Sequence, residues 1–192
     1  MATPARRAKR VAATPAGGAA RHPQGAPHDH AHCVEDALAL ADRVCRERGA
    51  RFTDLRRRVF ELVWASHKPV GAYAILETLR TEGLGSAPPT VYRALDFLLE
   101  NGLVHRVESL NAFVGCAHPG EAHRGFFLIC HRCGDARELH DDSLAESIAA
   151  GARAHGFAPA HMTLEIAGTC GPCLAAGRAQ AGRRASTSAT SP

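Results

Sequence analysis

Two Cys-x-x-Cys pairs constrain the fold of this chain more than any other feature. The pairs are Cys130–Cys133 and Cys170–Cys173, and 36 residues separate them. Gly134 and Gly171 each follow a cysteine, which favours tight turns at both pairs. Two such pairs can place four thiolates at the corners of a tetrahedron, the usual form of a structural zinc site. The sequence therefore predicts a four-cysteine structural zinc site that contributes on the order of 10 kcal/mol to folding.

A redox function is one alternative for the second pair. Cys170-Gly171-Pro172-Cys173 has the spelling of the thioredoxin motif, but that motif belongs after a strand of a βαβ unit, where it opens a long helix. Here only a short tail follows, and a second Cys-x-x-Cys pair lies upstream. The other alternative, a set of unrelated buried thiols, does not explain two identical spacings. Zinc remains the preferred interpretation.

Composition limits the remaining possibilities. The chain has 192 residues, which suits one compact domain or two small ones. It has no apolar run long enough to cross a membrane and no signal-like segment, so we expect a cytoplasmic protein with no membrane partner. Seven cysteines in a reducing compartment are more often ligands or thiols than disulfides. The net charge of +4 lies mostly in the two ends of the chain and is a weak argument for DNA binding.

The two ends of the chain read as tails. Residues 1–33 are rich in Ala, Pro, Gly and Arg and predict a disordered basic tail, and residues 174–192 predict a second disordered tail. His28, His30, His32 and Cys33 could collect metal, but a solvated histidine tract is the preferred interpretation.

Residues 34–115 predict a winged-helix DNA-binding domain. Apolar residues recur at helical spacing in 34–48, 53–66, 71–82 and 89–101. Two short strands, 103–108 and 112–115, follow around a turn at 109–111. A small helical bundle that ends in a hairpin is a winged helix-turn-helix, and the helix before the hairpin is its recognition helix.

The second part of the chain predicts a small α/β domain. Residues 116–125 carry glycines and a proline and read as a hinge. Strands are expected at 126–130, 135–140 and 161–167, and a helix at 142–154. We expect Leu144 and Ile148 to face inward from the helix, and Met162, Leu164 and Ile166 from the last strand. A domain of this size, 126–173, needs a metal or a partner for stability. The predicted fold class is α+β, with a winged helix-turn-helix followed by a zinc-stapled dimerisation domain.

A second group of metal-ligand residues lies at the wing, in the hinge and on the first strands of the second domain. Its members are His105, Cys116, His118, His123 and Glu138. A thiolate with imidazoles and a carboxylate suits zinc and argues against magnesium or calcium. Because the residues come from both domains, a metal here would fix the angle between them. The alternative is that the histidines are ordinary surface residues.

Several motifs resemble the ferric uptake regulator family. They are Tyr73, Thr90-Val91-Tyr92-Arg93-Ala94-Leu95, Leu103-Val104-His105-Arg106-Val107-Glu108-Ser109 and the two Cys-x-x-Cys pairs. The resemblance runs from about Ala37 to Cys173. Within it, the run from Pro88 to Ser109 and the lone Cys116 resemble the zinc uptake regulator (Zur) branch. Iron-type members usually carry a histidine-rich stretch at the position of residues 116–123.

The resemblance implies a function and a ligand set. It implies a homodimer that binds a palindromic double-stranded DNA operator when loaded with zinc and represses zinc-uptake genes. The implied regulatory zinc ligands are His105, Cys116, His123 and Glu138, and the implied structural ligands are the four paired cysteines, which gives about two zinc ions per subunit. His118 is a rival to His123, and a third site that uses His140 or His155 stays open.

The predicted DNA contacts are Tyr73, Thr90, Tyr92, Arg93, Arg56 and Arg57. Arg93 lies away from the apolar stripe of its helix, and arginine forms bidentate contacts with guanine in the major groove. The resemblance assigns Arg93 to a purine and Tyr73 to DNA. Arg56 and Arg57 open the second helix and are expected at backbone phosphates, although a solvated helix face explains them equally well.

Other function classes remain as alternatives. An iron- or peroxide-responsive regulator of the same family would share the fold. A zinc enzyme would need an open metal position with a general base, and the deaminase pattern His-x-Glu followed by Pro-Cys-x-x-Cys is absent from the sequence. A zinc buffer would need no winged helix. We therefore expect no enzymatic activity and no small organic substrate.

Overall fold

The structure, a computed structural model, describes residues 30–66, 68–84, 87–120, 125–160 and 162–177. The first half contains four helices: α1 (His30–Glu47), α2 (Asp54–Trp64), α3 (Ala72–Thr81) and α4 (Pro88–Glu100). A three-stranded antiparallel sheet accompanies them, with β1 (Val70–Gly71), β2 (Val104–Val107) and β3 (Ala112–Gly115) in the order β1-β3-β2. Residues 1–29 and 178–192 of the predicted tails lie outside the described residues.

One apolar core joins the four helices. Val59 and Phe60 of α2 pack with Leu79 of α3 and Leu95 of α4, all nearly inaccessible to solvent. The predicted helices are therefore confirmed, because each one buries the apolar stripe that its sequence period marks. α1 differs in its start: it begins at His30, before the predicted first residue Val34, so the end of the predicted tail is helical.

The hairpin after α4 forms the wing. A 3-10 helix at Glu108–Leu110 connects β2 and β3, and Asn111 completes the turn with a φ of 45°. Asparagine tolerates this left-handed conformation, and its side chain accepts a hydrogen bond from Arg106 at 3.0 Å. At the end of β3, a Cβ on Gly115 would lie 2.3 Å from the Trp64 ring. Only glycine therefore lets the indole of α2 lie against the wing.

The second half is a small α/β unit. It contains β4 (Phe126–Cys130), β5 (Ala136–Leu139), α5 (Asp142–Ala154) and β6 (Leu164–Gly168), and residues 171–177 are helical. The sheet order is β5-β4-β6, with β5 antiparallel and β6 parallel to β4. The predicted α+β fold class is confirmed. Among the described residues, no helix is both long and apolar enough to span a membrane.

Two predicted faces of this unit are wrong. In α5 the buried residues are Ala145 and Ala149, whereas Ile148 is 38% exposed. In β6 Leu164 is only half-buried and Ile166 is 45% exposed. Both elements carry the apolar side chains that the sequence pattern marks, but nothing in the described part of the chain covers Ile148 or Ile166.

The wing packs directly against the second sheet. Val107 and Val114 of the wing form a buried cluster with Phe127, Ile129 and Ala136 of β4 and β5. This cluster is separate from the helical core. It sets the position in which side chains of the wing and of β5 meet.

Candidate functional site

The four paired cysteines meet at one edge of the second sheet. β4 ends at Cys130, and β6, its parallel neighbour, ends at Gly168, two residues before Cys170. Parallel strands finish at the same edge, so the two Cys-x-x-Cys turns lie side by side. Gly134, with a φ of 74°, donates its N–H to the Cys130 carbonyl at 2.8 Å and closes the first turn.

The sulfur geometry fits a tetrahedral zinc ion. All four Sγ atoms lie within 4.8 Å of one another, and the Cys133 and Cys170 sulfurs are 3.7 Å apart. Sulfurs bound 2.3 Å from a tetrahedral zinc lie about 3.8 Å apart, whereas a disulfide needs about 2.0 Å. All four cysteines are free thiols. The arrangement has the form of a structural zinc site and not of a dithiol–disulfide couple.

The electrostatics of these thiols also suit a cation. The backbone N–H groups of Cys170 and Cys133 lower the pKa of Cys130 to about 5, and the N–H of Cys170 lies 3.3 Å from its sulfur. Hydrogen bonding to Cys170, together with burial, raises the pKa of Cys173 to about 12. One thiolate thus makes ionisation of its neighbours unfavourable, and a bound dication reverses that cost.

A second ligand cluster joins the two halves of the chain. His105 comes from β2, Cys116 follows β3, and Glu138 lies on β5. The Nε2 atom of His105 is 2.9 Å from the Oε1 atom of Glu138, and the ligand atoms of all three residues lie within 4.8 Å of one another. The backbone N–H of Ala117 lies 3.4 Å from the other carboxylate oxygen. The structure therefore brings together three of the four predicted regulatory ligands.

The cluster of His105, Cys116 and Glu138 is almost completely shielded from solvent. Cys116 is fully buried, and the side chains of His105 and Glu138 are only 17% and 7% exposed. Phe127 covers the His105 ring edge-on, with ring centroids 5.5 Å apart. Buried ionisable groups need charged partners or a metal. A thiol, an imidazole and a carboxylate in this setting form a suitable donor set for zinc.

The remaining predicted metal residues have different positions. His123 lies outside the described residues. His118 is near Glu138 but pairs with His140, with its Nδ1 3.1 Å from the His140 Nε2. His155, at the end of α5, is exposed and belongs to none of the metal-ligand clusters of the described residues.

The predicted DNA-contacting side chains of α3 and α4 lie at the surface. Tyr73 at the start of α3 is 74% exposed, Tyr92 is 41% exposed, Arg93 is exposed and Thr90 is half-buried. The opposite face of α4 buries Val91 and is part of the helical core. Within the described residues, no ion pair or hydrogen bond involves the Arg93 side chain.

The two arginines of α2 have intramolecular partners. Arg57 forms an ion pair with Asp42 at 2.6 Å, and this hydrogen bond raises the pKa of Arg57. The Arg56 guanidinium stacks on the Phe97 ring at 3.6 Å and also donates to the Arg51 carbonyl. Their predicted phosphate contacts would have to form alongside or in place of these interactions.

Sequence reasoning missed one residue that links the halves. Glu165 on β6 accepts hydrogen bonds from the backbone N–H groups of Glu108 at 2.6 Å and Ser109 at 3.0 Å, both in the wing. The available signal was a carboxylate among apolar neighbours in a strand, and it was interpreted only as the solvent-facing side of an alternating pattern.

The fold and the two ligand clusters define a winged-helix protein whose wing meets a second domain with candidate metal centres. The chain belongs to the ferric uptake regulator family, whose model matches residues 47–167. The zinc uptake regulation protein of Escherichia coli (strain K12) is 38% identical over 142 residues, which cover 73% of this chain and 83% of that protein. The protein of the same name from Mycobacterium tuberculosis (strain ATCC 25618 / H37Rv) is 30% identical over 128 residues, 65% of this chain and 95% of that protein.

Solved structures of zinc uptake regulators are also similar to this chain. Holo XcZur is 47% identical, has a TM-score of 0.68, and the match covers 73% of this chain and 98% of that chain. A zinc uptake regulator complexed with zinc and DNA is 36% identical with a TM-score of 0.72, over 76% of this chain and 97% of that chain. The predicted resemblance to the family and to its zinc uptake branch is confirmed.

Proposed function

We propose that this chain is a zinc-responsive transcriptional repressor whose zinc-loaded dimer binds a palindromic operator and represses zinc-uptake genes. The observation that carries the proposal is the buried cluster of His105, Cys116 and Glu138, which joins the wing to β5. A metal in this position fixes the DNA-binding half against the second domain. The names of the relatives and the neighbour complexed with zinc and DNA support the same function.

Zinc is the proposed metal because of the ligand chemistry. The Cys116 thiolate is a soft ligand that selects zinc over magnesium, calcium or manganese. Two zinc ions per subunit are proposed, one held by the four paired cysteines and one by the wing cluster. His123, seven residues before Cys130, is the proposed fourth ligand of the wing cluster.

When bound, zinc supplies two positive charges that hold a thiolate and a carboxylate together in a site from which water is excluded. Side chains of the protein itself supply the other contacts between the wing and the second sheet. Val107 and Val114 bury the wing against β4 and β5, and the Glu165 carboxylate holds the turn of the wing. In the closed arrangement the wing lies against the second sheet, and in the open arrangement it does not. To make the closed arrangement dominant when it is rare without zinc, zinc must bind it more tightly than the open one by roughly 5 kcal/mol.

The proposed DNA-binding face consists of the exposed residues of α3 and α4. Arg93 would contact a base in the major groove, and Tyr73, Thr90 and Tyr92 would help position the helix. Arg56 and Arg57 are assigned to phosphate, and because both have intramolecular partners we expect smaller effects from their loss.

A second copy of the chain is the proposed cover for the exposed face of the second sheet. Leu128 and Ile166 are register partners on β4 and β6, and they are 41% and 45% exposed. Within the described residues β6 pairs only with β4, so its outer edge can accept another strand. Residues 126–173 are therefore assigned to dimerisation, 34–115 to DNA binding and 116–125 to the hinge.

The test is zinc-dependent DNA binding by the wild type and Cys116→Ser. A duplex is first selected from a random pool with zinc-loaded protein, and binding to it is then titrated with zinc, ferrous iron or manganese. We expect zinc alone to activate the wild type, and we expect the folded Cys116→Ser variant to keep its structural zinc but fail to respond.

Other outcomes contradict the proposal in distinct ways. If Cys116→Ser responds like the wild type, Cys116 is not a regulatory ligand. If iron activates binding at lower free concentration than zinc, the protein is an iron-responsive regulator of the same family. If no duplex is enriched, it is not a sequence-specific repressor.

A further inference from the structure

The hinge passes directly over α1. Gly120 has a φ of 93°, and a Cβ added there would lie 3.3 Å from the Cγ2 atom of Val44. Apart from the chain neighbours of Gly120, Val44 is the only residue in the described part of the chain with an atom within 4 Å of that position. Residues 117–119, just before it, are half-buried. The glycine therefore lets the hinge backbone lie against a methyl group of α1.

The same face of α1 reaches the turn that ends α4. Arg48 lies one helical turn after Val44, and its backbone N–H donates to the Val44 carbonyl at 3.1 Å. The Arg48 guanidinium donates to the carbonyl of Asn101 at 2.8 Å. A positive charge is favourable at this place because the last carbonyl groups of a helix carry a partial negative charge.

The turn between α4 and β2 is fixed by several further hydrogen bonds. Asn101 is 8% exposed, and its side-chain amide donates to the Phe97 carbonyl at 2.8 Å. Leu103, the residue before β2, donates to a carbonyl of α4 at 2.9 Å and accepts a hydrogen bond from the N–H of Cys116 at 3.1 Å. The turn, the start of the hinge and α1 therefore form a closed ring of contacts.

We propose that α1 is a second link between the hinge and α4, in which Val44 receives the hinge at Gly120 and Arg48 positions the turn between α4 and β2. This link rests on the proposed function, and it does not pass through the second sheet. Gly120 lies four residues after Cys116, so zinc at the wing cluster restricts the hinge backbone that lies on Val44.

The contact at Val44 favours the closed arrangement. When the hinge leaves α1, methyl groups of Val44 become exposed to water, which is unfavourable. Arg48 then acts as a positioning residue, because it keeps α4 at a fixed angle to the helix on which the hinge lies.

The hinge contact is tested by a double-mutant cycle in the full-length protein, with the zinc affinity of the wing cluster measured by chelator competition. Gly120→Ala places a methyl group against Val44. Gly83→Ala is the matched control, because Gly83 also has a positive φ, 74°, but open space at its Cβ position. We expect Gly120→Ala to weaken zinc binding about 3–10-fold relative to this control. In a Val44→Ala background, which leaves room for the new methyl group, the same change should have an effect of no more than about twofold.

Two results would overturn the hinge contact. Equal effects of Gly120→Ala in both backgrounds would mean that its cost is strain within the hinge, and a zinc affinity equal to that of Gly83→Ala would mean that there is no cost. Val59→Ala, which truncates another buried valine of the helical core, controls for the lost core packing in Val44→Ala. It should lower the unfolding temperature without changing the zinc affinity.

The role of Arg48 is tested by amide hydrogen exchange at residues 101–103. Arg48→Met is compared with Arg46→Met, because the Arg46 guanidinium donates to the Asp42 carbonyl of its own helix. We expect Arg48→Met to speed exchange at the turn about 3–10-fold and to weaken DNA binding at saturating zinc by a similar factor. The unfolding temperature should match that of the control, since one exposed hydrogen bond contributes little to global stability.

Exchange at the turn equal to that of Arg46→Met would overturn the positioning role. Faster exchange with unchanged DNA affinity would mean that the turn is held by Arg48 but that α4 is not positioned through it. If the zinc-loaded wild type binds no duplex, the repressor function fails, whereas the exchange measurement still decides whether Arg48 holds the turn.

Discussion

Glu165→Gln tests whether the wing must be held against the second domain for the protein to respond to zinc. The Glu165 carboxylate accepts two backbone hydrogen bonds, from Glu108 at 2.6 Å and from Ser109 at 3.0 Å. Partial burial opposes ionisation, but the hydrogen bonds from Ser109 and Glu108 hold the pKa of Glu165 below its ordinary value of 4.5. The charged form is therefore the one that binds the wing.

The size of the effect follows from these two bonds. A hydrogen bond to a charged group contributes about 1.5–3 kcal/mol when it is well protected. Here the bonded backbone is exposed, so we expect about 1–2 kcal/mol for the pair together. Glutamine keeps the size and one acceptor oxygen but loses the charge. If the open arrangement dominates without zinc, the zinc concentration at half-maximal DNA binding should rise about 5–30-fold.

The assay is a zinc titration of DNA binding with Glu146→Gln as control. Glu146 lies on α5 and pairs with Arg153, and both side chains are more than half exposed. Both variants should keep wild-type structural zinc and dimer content. A midpoint for Glu165→Gln within twofold of the control would refute the reasoning.

The pH dependence of this contact has a definite sign. Because the folded-state pKa is lowered, the stabilisation by Glu165 is fully present above its unfolded value of 4.5 and is lost as the pH falls through the lowered pKa. The ratio of midpoints between wild type and Glu165→Gln should therefore stay constant across neutral pH.

Three further predictions test the other assignments. Cys130→Ser should release the structural zinc and unfold the second domain, measured by zinc content and thermal unfolding, whereas Cys33→Ser on α1 should leave both unchanged; a zinc-replete, dimeric Cys130→Ser protein would contradict the structural role. Arg93→Ala should weaken operator binding by about 1–3 kcal/mol at matched salt with zinc content intact, and equal affinities would remove Arg93 from the base contacts. Ile166→Glu should shift the mass measured by light scattering from dimer toward monomer, and an unchanged dimer would place the interface elsewhere.

Much of the architecture was predictable because local patterns and tertiary packing agree. The apolar stripe of α4 and the glycine after it set the bounds of that helix, and Asn111 sets the turn of the wing. That the four cysteines form one metal-ligand cluster was predictable from their spacing, because two Cys-x-x-Cys pairs have few other uses. The way in which the pairs meet depends on the parallel pairing of β4 and β6, which the spacing does not reveal.

The features that sequence reasoning missed depend on distant partners. β1 is two residues long and exists only through its pairing with β3, so Val70 and Gly71 carry no periodic signal. Glu165 is important because of what the wing brings to it across the chain. Ile148 and Ile166 were predicted to face inward, but both are exposed in the single chain. An apolar sequence pattern indicates that a surface is to be buried, but it does not indicate which molecule buries it.

In the proposed function, the wing is the element that connects metal binding, domain packing and DNA binding. β2 carries His105, the segment after β3 carries Cys116, and Val107 and Val114 form the apolar contact with the second sheet. β2 also follows α4 after a short turn at Asn101 and Gly102, so a change in the angle of the wing moves α4, the proposed recognition helix, as well. Gly115 permits the contact of Trp64 with β3 and thereby couples α2 to the same unit. On this proposal, metal binding at the base of the wing reorients the helical half as one body without rearranging its core.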